Sequence, residues 1–120
     1  MNVNGLLYGL REVTGYPTEQ DVYDGKRDRF IVFTYEDERP VMAADNRPVA
    51  DQVTVMVSLF GPEDYEYMSD KEKIRDYLEK SGFCVTSIRQ WKEQTPYGSD
   101  RYIRRVTFHS DYTEMRQEEQ

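Results

Sequence analysis

Residues 52–60, with the sequence QVTVMVSLF, decide the fold class because their apolar side chains recur with a period of two. One face of this segment is purely aliphatic, and it consists of Val53, Val55, Val57 and Leu59. The other face is mixed, and it consists of Thr54, Met56, Ser58 and Phe60. The pattern predicts a central β-strand whose aliphatic face lies in the core and whose mixed face meets a partner only in part.

A first helix is predicted near the start of the chain, over residues 2–13, before Gly15 and Pro17 end it. Its apolar residues recur at spacings of three and four, and they are Leu6, Leu7, Leu10 and Val13. This spacing places them on one helix face. Gly5 and Gly9 lie four residues apart in the same segment, which favours a close approach by another helix.

A second helix is predicted over residues 69–81. Ser69 and Glu72 have the spacing of a capping box, in which each side chain bonds the backbone of the other residue. Gly82 follows the helix and can adopt the left-handed conformation that stops it. We expect this helix to pack on a face of the sheet.

Further strands are predicted from runs of β-branched and aromatic residues. They cover residues 30–36 with a bent or bulged continuation at 41–44, a segment beginning at Phe83, and residues 101–109 after a turn at 93–100. In the segment that begins at Phe83, simple alternation puts Val85 on the same face as Phe83 and Ile88 on the opposite face. Residues 17–29 are polar and rich in turn formers, and they are predicted to be a loop.

The order of these elements predicts a single α+β domain over residues 1–120. We expect one mainly antiparallel sheet, with the N-terminal helix and the second helix (about residues 69–81) packed on it. The acidic, glutamine-rich tail from Glu114 is predicted to fray over about six residues.

The composition of the chain disfavours several classes of function. The chain has 120 residues and a net charge of −7, which disfavours a general DNA-wrapping role. No run approaches the ~18 apolar residues of a membrane-spanning helix, and the first residues lack the pattern of a signal peptide. With Cys84 as the single cysteine, an intrachain disulfide is excluded. These features favour folding in a reducing cytoplasm.

The sequence contains no recognisable catalytic or cofactor motif. His109 is the only histidine, and it could form a catalytic pair with Cys84. The simpler interpretation is that Cys84 is a small core residue. The acidic runs at 36–38 and 63–66 lack the spacing of a calcium loop. No glycine-rich phosphate loop is present. We therefore expect no catalytic residues, no metal and no cofactor, and the protein is predicted not to be an enzyme.

Two segments carry aromatic side chains next to turns, and we expect these segments to form a subunit interface. The aromatic residues are Tyr65, Tyr67, Trp91 and Tyr97. Acidic residues accompany the first segment, namely Glu63, Asp64 and Glu66, and basic residues the second, namely Lys92, Arg101, Arg104 and Arg105. Two alternatives stay open. The aromatic residues can cap the domain's own core, or the basic strip can bind single-stranded nucleic acid.

The order of several segments resembles a known family. They are FIVFTYEDERP, AADNRPVAD, QVTVMVSLFGP, DKEKIRDYLEKSGF and WKEQTPYGSDRYIRRVTFH, and the likeness covers roughly residues 28–112. This arrangement is similar to the small tail terminator, or tail-completion, proteins of long-tailed bacteriophages and prophages of Firmicutes. The resemblance is one of pattern and length.

The resemblance implies an α+β subunit that forms a hexameric ring on the last ring of the tail tube. Such a ring stops tube growth and presents a surface to the head connector protein. It implies no enzyme activity, no membrane, and DNA only as passing cargo. It also implies assembly in the bacterial host cytoplasm and a final place in the tail–neck region of the virion. The alternatives are a head-closure or head–tail joining protein and, from another class, a small regulatory or nucleic-acid-binding module.

Overall fold

The strand predicted at residues 52–60 is the centre of a five-stranded sheet. A computed structural model describes residues 3–94 and 101–116. The helices are α1 (Val3–Tyr8), α2 (Leu10–Thr14) and α3 (Met68–Lys80). The strands are β1 (Thr18–Gln20), β2 (Phe30–Met42), β3 (Pro48–Pro62), β4 (Cys84–Gln94) and β5 (Tyr102–Met115). None of these helices has the length and apolar character needed to cross a membrane, within the residues that the structure describes.

The strand order is β1-β2-β3-β5-β4, and every neighbouring pair is antiparallel except β1 with β2. The predicted α+β class with a mainly antiparallel sheet is therefore confirmed. The sheet has one covered face, and its side chains from β3 and β5 are fully buried at Val55, Val57, Leu59, Val106 and Phe108. This aliphatic face and the apolar residues of the helices form one core. The alternation in β3 is the physical reason, because it gives the sheet one side that must leave water.

The N-terminal helix is bent at Gly9, which separates α1 from α2. Of the predicted apolar face, Leu7 and Leu10 are fully buried, whereas Leu6 and Val13 are only partly buried. Val3, which was not predicted, is also buried. A Cβ atom at Gly9 would lie 2.1 Å from the Tyr77 hydroxyl oxygen. The missing side chain thus allows α3 to approach α2 closely at Gly9, whereas Gly5 is exposed and takes no part in this contact.

Helix α3 packs on the core through Ile74 and Leu78, both fully buried. Its predicted capping box is wrong, because the helix begins at Met68 and places Ser69 inside its first turn without a side-chain cap. The predicted end is confirmed. Gly82 has a φ of 102°, and its N–H bonds the Glu79 carbonyl while the Phe83 N–H bonds the Leu78 carbonyl. These two bonds form a Schellman motif.

The predicted loop at 17–29 contains a short strand that the sequence did not indicate. Residues 18–20 (β1) pair in parallel with Ile31–Phe33 of β2. Three polar residues, TEQ, carry no alternation that would mark a strand. Thr18 is fully buried, and Arg11 donates to its carbonyl oxygen at 2.8 Å. Tertiary contacts therefore determine this strand.

Three register shifts interrupt the strand pairing, after Tyr35 and after Val41 in β2 and after Val85 in β4. In β2, a bulge between Tyr35 and Asp37 allows the strand to continue to Met42, as the predicted bent continuation required. In β4, a bulge between Val85 and Ser87 turns Ile88 toward the core. The prediction that Ile88 lies on the face opposite to Phe83 and Val85 is therefore wrong. Bulges insert one residue and reverse the alternation beyond them.

Cys84 is exposed at the start of β4, and the interpretation of it as a core residue is also wrong. The first residues of the tail that is predicted to fray, Glu114 and Met115, belong to a strand. Strand β5 runs to Met115, and the next residue, Arg116, bonds the Val49 carbonyl through its N–H and Asp51 through its guanidinium at 2.8 Å. Residues 117–120 and the predicted turn at 95–100 lie outside the described part of the chain.

The subunit is elongated, with principal extents of 57 × 27 × 23 Å. Its radius of gyration is 16.4 Å, against about 14 Å for a compact chain of this length. The long strands β2 and β3 extend beyond the helices together with the end of β5. We refer to this extension, residues 36–53 and 113–116, as the arm. Ala50 is its only buried residue.

Candidate functional site

The face of the sheet that points away from the helices has no covering element among the described residues. Side chains of four strands form a row across it, since Phe30 pairs with Phe60, Phe60 with Arg105 and Arg105 with Trp91. We call Phe30, Phe60, Arg105 and Trp91 the aromatic row. The mixed face of residues 52–60 thus belongs to a surface that is open in the subunit, as the sequence predicted.

The aromatic row is a continuous stack. Phe30 and Phe60 have ring centroids 4.9 Å apart and planes 16° apart, and Tyr23 stacks on the other side of Phe30 at 4.4 Å. The Arg105 guanidinium carbon lies 5.0 Å from the Phe60 centroid and 5.2 Å from that of Trp91. Because these spacings match the ~4.8 Å between strands, the rings stand upright on the sheet. Phe30 and Phe60 present their edges outward and use their faces for their neighbours in the row.

Arg105 holds the row in place through three hydrogen bonds. Its guanidinium donates to Thr107 Oγ1 at 3.2 Å, to Ser58 Oγ at 3.3 Å and to Glu93 Oε1 at 3.3 Å. Glu93 also accepts from Trp91 Nε1 at 3.0 Å. Ser58 and Thr107 are 2% and 0% exposed although they lie on the open face. Arg105 and its neighbours shield these hydroxyl groups from solvent and provide their hydrogen-bond partners.

The opposite half of the open face is acidic. His109 Nδ1 lies 2.9 Å from Glu36 Oε1, and the Thr54 hydroxyl donates to Asp111 at 2.7 Å. His109 therefore contacts Glu36 rather than forming the Cys84 pair considered from the sequence. Within the described residues, no group of three or more histidine, cysteine or acidic side chains could hold a metal ion. A shallow depression nearby is lined by Tyr35, Glu36, Asp37, Glu38 and Val53.

Tyr65 is not the exposed interface residue that the sequence predicted. Its side chain is 8% exposed, and its hydroxyl donates to Asp70, which also accepts from Tyr16 at 2.7 Å. Burial, reinforced by the hydrogen bonds to Asp70 and Tyr16, raises the pKa of Tyr65 above its usual range. Tyr65 therefore caps the domain's own core and links α3 to the segment before β1, which is the alternative that the sequence left open.

Two arginines cover the tyrosines of the 63–67 loop. The Arg29 guanidinium lies 4.8 Å from the Tyr65 centroid, and that of Arg104 lies 5.0 Å from the Tyr67 centroid. Tyr67 is half-buried against the core. The Nε atoms of both arginines are buried without a hydrogen-bond partner in the described structure. Arg104 and Tyr67 thus stabilise this end of the subunit by a cation–π contact.

The predicted acidic and basic patches lie side by side at one end of the same subunit. Gly61 pairs with Arg104 across β3 and β5, and Lys92 Nζ lies 3.4 Å from Glu63 Oε1. Glu66 is exposed and accepts from the Met68 N–H at 3.0 Å. The two patches therefore satisfy each other in part within one subunit, through Lys92 and Glu63.

The remaining predicted interface residues differ in accessibility. Trp91 is 37% exposed, and Asp64 and Arg101 are also exposed. Tyr97 lies outside the described residues. Sequence reasoning therefore found Trp91, but it missed Phe30 and Phe60, whose place in the row depends on strand register.

Sequence reasoning also missed the apolar end of the arm. Met42 and Met115 are 49% and 68% exposed, and Met115 pairs with Ala50 across β3 and β5. Their positions in polar or turn-rich segments gave no signal. The subunit therefore exposes large apolar side chains near both ends of its long axis, with Met42 and Met115 at one end and Trp91 and Tyr102 at the other.

No protein-family model matches this chain, and no curated protein sequence is significantly similar to it.

Proposed function

We propose that the protein is a structural subunit of a phage or prophage tail, which assembles as a ring on the tail tube, stops tube growth and joins tail to head. The observation that carries this proposal is the exposure of unlike apolar surfaces near opposite ends of an elongated subunit: methionines on the arm, and the aromatic row near the β4–β5 hairpin. Exposed apolar patches mark interaction sites on protein surfaces.

Unlike surfaces at opposite ends support a head-to-tail contact. A contact between two different patches repeats from subunit to subunit and closes into a ring when the rotation allows it. A two-fold contact instead uses the same patch twice. The proposed ring is a hexamer on the tube, its partners are the tail tube protein and the head connector protein, and DNA passes through it as cargo.

The net charge of −7 agrees with a conduit for DNA, because an acidic wall does not retain phosphate. A non-enzymatic role is part of the proposal. A head-closure or head–tail joining protein is a related candidate, since it would use the same kind of end-to-end contacts. Assembly would take place in the bacterial cytoplasm, and the finished ring would lie in the tail–neck region.

One specific observation counts against the nucleic-acid-binding alternative. Single-stranded nucleic acid binds by stacking bases on the faces of aromatic rings. In the aromatic row, the faces of Phe30 and Phe60 contact each other or their neighbours, and Arg105 covers a face of Trp91. Arg105 is also paired with Glu93. Phe30 and Phe60 therefore offer ring edges rather than a stacking platform.

The test is removal of the gene from the phage or prophage that encodes the protein. We expect tails of irregular, extended length that do not join heads, seen by negative-stain electron microscopy, and recovery of uniform tails when the gene is restored. Tails of normal length, joined to heads, in the absence of the protein would contradict the proposal. Tails of normal length that fail to join heads would favour the head–tail joining role.

A further inference from the structure

We propose that the arm of one subunit docks on the aromatic row of a second copy of the same chain. This inference rests on the proposed ring and names the contact that builds it. The arm is the extension formed by residues 36–53 and 113–116, and the row is Phe30, Phe60, Arg105 and Trp91.

Side-chain chemistry matches the two surfaces. The rings of Phe30 and Phe60 stand upright and expose their edges, as their spacing and small interplanar angles require. Methionine sulfur makes favourable contacts with aromatic rings, often at the ring edge. Met42 and Met115 are the exposed apolar residues of the arm, at 49% and 68% exposure. Their flexible side chains fit an uneven row of ring edges better than a rigid group would.

Charge supports the same pairing. The arm carries six acidic and three basic residues. Residues 88–94 and 101–107, which surround the row on β4 and β5, carry five basic residues and one acidic residue. Because Lys92 already pairs with Glu63 in its own subunit, charge steers the encounter more than it adds affinity. We expect self-association that weakens as salt concentration rises.

The geometry requires two subunits. Arg89 is level with Val32 in the sheet, because both pair through Thr107 and Ser58. Met42 lies further along β2 by a distance of about 30 Å at the usual rise per residue. The arm of a subunit therefore cannot reach its own row, and each docking event leaves one free arm and one free row for the next copy.

The sheet edges are poorer candidates for this contact. Beyond its short pairing with β1, the outer edge of β2 carries a bulge after Tyr35, the charged residues 36–39 and Pro40. Strand β4 also contains a bulge after Val85. Bulges, charges and proline are the features by which edge strands avoid pairing with other chains. The exposed side chains, rather than the strand edges, are left to form the contact.

The experiment is disulfide cross-linking in a Cys84→Ser background, which removes the native exposed thiol. The test protein carries Met42→Cys and Arg89→Cys, both at exposed positions. Within one subunit these residues are far beyond the ~7 Å limit between Cα atoms that a disulfide allows. Under mild oxidation at high protein concentration, we expect a ladder of linked dimers, trimers and larger species on a non-reducing gel.

The matched control carries Met42→Cys and Lys73→Cys, because Lys73 is exposed on α3 and not on the open face. We expect at most a background of dimers from it. A test protein that gives no more product than this control overturns the proposal, and a product that stops at dimers overturns the head-to-tail geometry. Mixing two single-cysteine proteins, one with Met42→Cys and one with Arg89→Cys, gives a second measurement, in which a linked heterodimer is expected.

The outcomes separate this inference from the proposed function. Tails capped by rings whose subunits do not cross-link through these positions would leave the function standing and refute the arm contact. The opposite result is a full ladder of cross-linked species together with normal tails in the absence of the protein. It would support the arm contact and refute the proposed function.

Discussion

The hydroxyl group of Tyr77 occupies the space that a side chain at Gly9 would need. It donates a hydrogen bond to the Leu6 carbonyl at 2.6 Å, and a Cβ atom at position 9 would lie 2.1 Å from it. This relationship ties α3 to the bend between α1 and α2. It explains why the bend contains glycine although the residue has helical backbone angles, φ −59° and ψ −17°.

Gly9→Ala should therefore destabilise the domain, although alanine normally favours a helix. We expect a loss of about 1–3 kcal/mol in the free energy of unfolding, as for other over-packed sites. Urea denaturation measures it. The loss should shrink in a Tyr77→Phe background, and exposed Gly5→Ala should cause none. Equal losses with and without the Tyr77 hydroxyl would contradict the steric explanation.

Because β3 has one buried and one open face, an aspartate substitution is expected to have different effects on folding at two neighbouring positions. Val55→Asp should abolish cooperative thermal melting, because Val55 is fully buried and an unpaired carboxylate there lacks compensation. Met56→Asp should still melt cooperatively, because Met56 lies on the open face. Circular dichroism measures the thermal melting of both variants. A cooperatively folded Val55→Asp protein would count against the central place of β3.

Arg105 and Trp91 provide an optical test of the aromatic row. Trp91 is the only tryptophan, so its fluorescence reports the row alone. We expect Arg105→Gln to shift the emission of Trp91 to longer wavelength and to lower stability by about 1–3 kcal/mol, because hydrogen bonds to a charged group are lost. Exposed Arg101→Gln should leave both unchanged. An unchanged spectrum in the Arg105 variant would refute the stacked arrangement.

Tyr65 predicts a loss of stability at alkaline pH. Its pKa is raised above the ordinary value of 10.0, chiefly by burial and then by the hydrogen bond to Asp70. Above pH 10.0 the unfolded chain loses the proton while the folded state keeps it, so the free energy of unfolding falls as pH rises.

Thermal melts of the wild-type protein and Tyr65→Phe between neutral and strongly alkaline pH check this prediction. The variant should lose less stability over the alkaline range, because phenylalanine has no proton to release. Tyr16 has a pKa raised mainly by burial, so part of the slope should remain. Identical slopes in the two proteins would contradict the assignment.

The fold could be predicted where a local pattern determines structure. Burial of Val55 and Leu59 follows from alternation, and the end of α3 follows from Gly82. The bulge that turns Ile88 inward could not be predicted, because the sequence around it alternates without a marker. Strand β1 could not be predicted either, because its three polar residues form a strand only beside Ile31–Phe33.

The candidate site was less predictable than the fold because it depends on strand register. The sequence places Trp91 and Arg105 in the same aromatic and basic segment, but their contact with Phe60 and Phe30 requires the pairing of four strands. Tyr65 was misjudged for the converse reason. Its acidic loop indicates exposure, and its burial depends on Tyr16 and Asp70, which are distant in sequence or on another element.

The strand order also affects how the chain folds as it leaves the ribosome. The β2–β3 pair can form as soon as its own residues emerge, but β3 ends at Pro62 and its second neighbour, β5, begins only at Tyr102. Until β5 is synthesised, the aliphatic side of β3 lacks the side chains of Val106 and Phe108. The nascent chain therefore exposes a half-built sheet, and completing it by long-range pairing is slow. We expect chaperone binding to concentrate in this interval of synthesis.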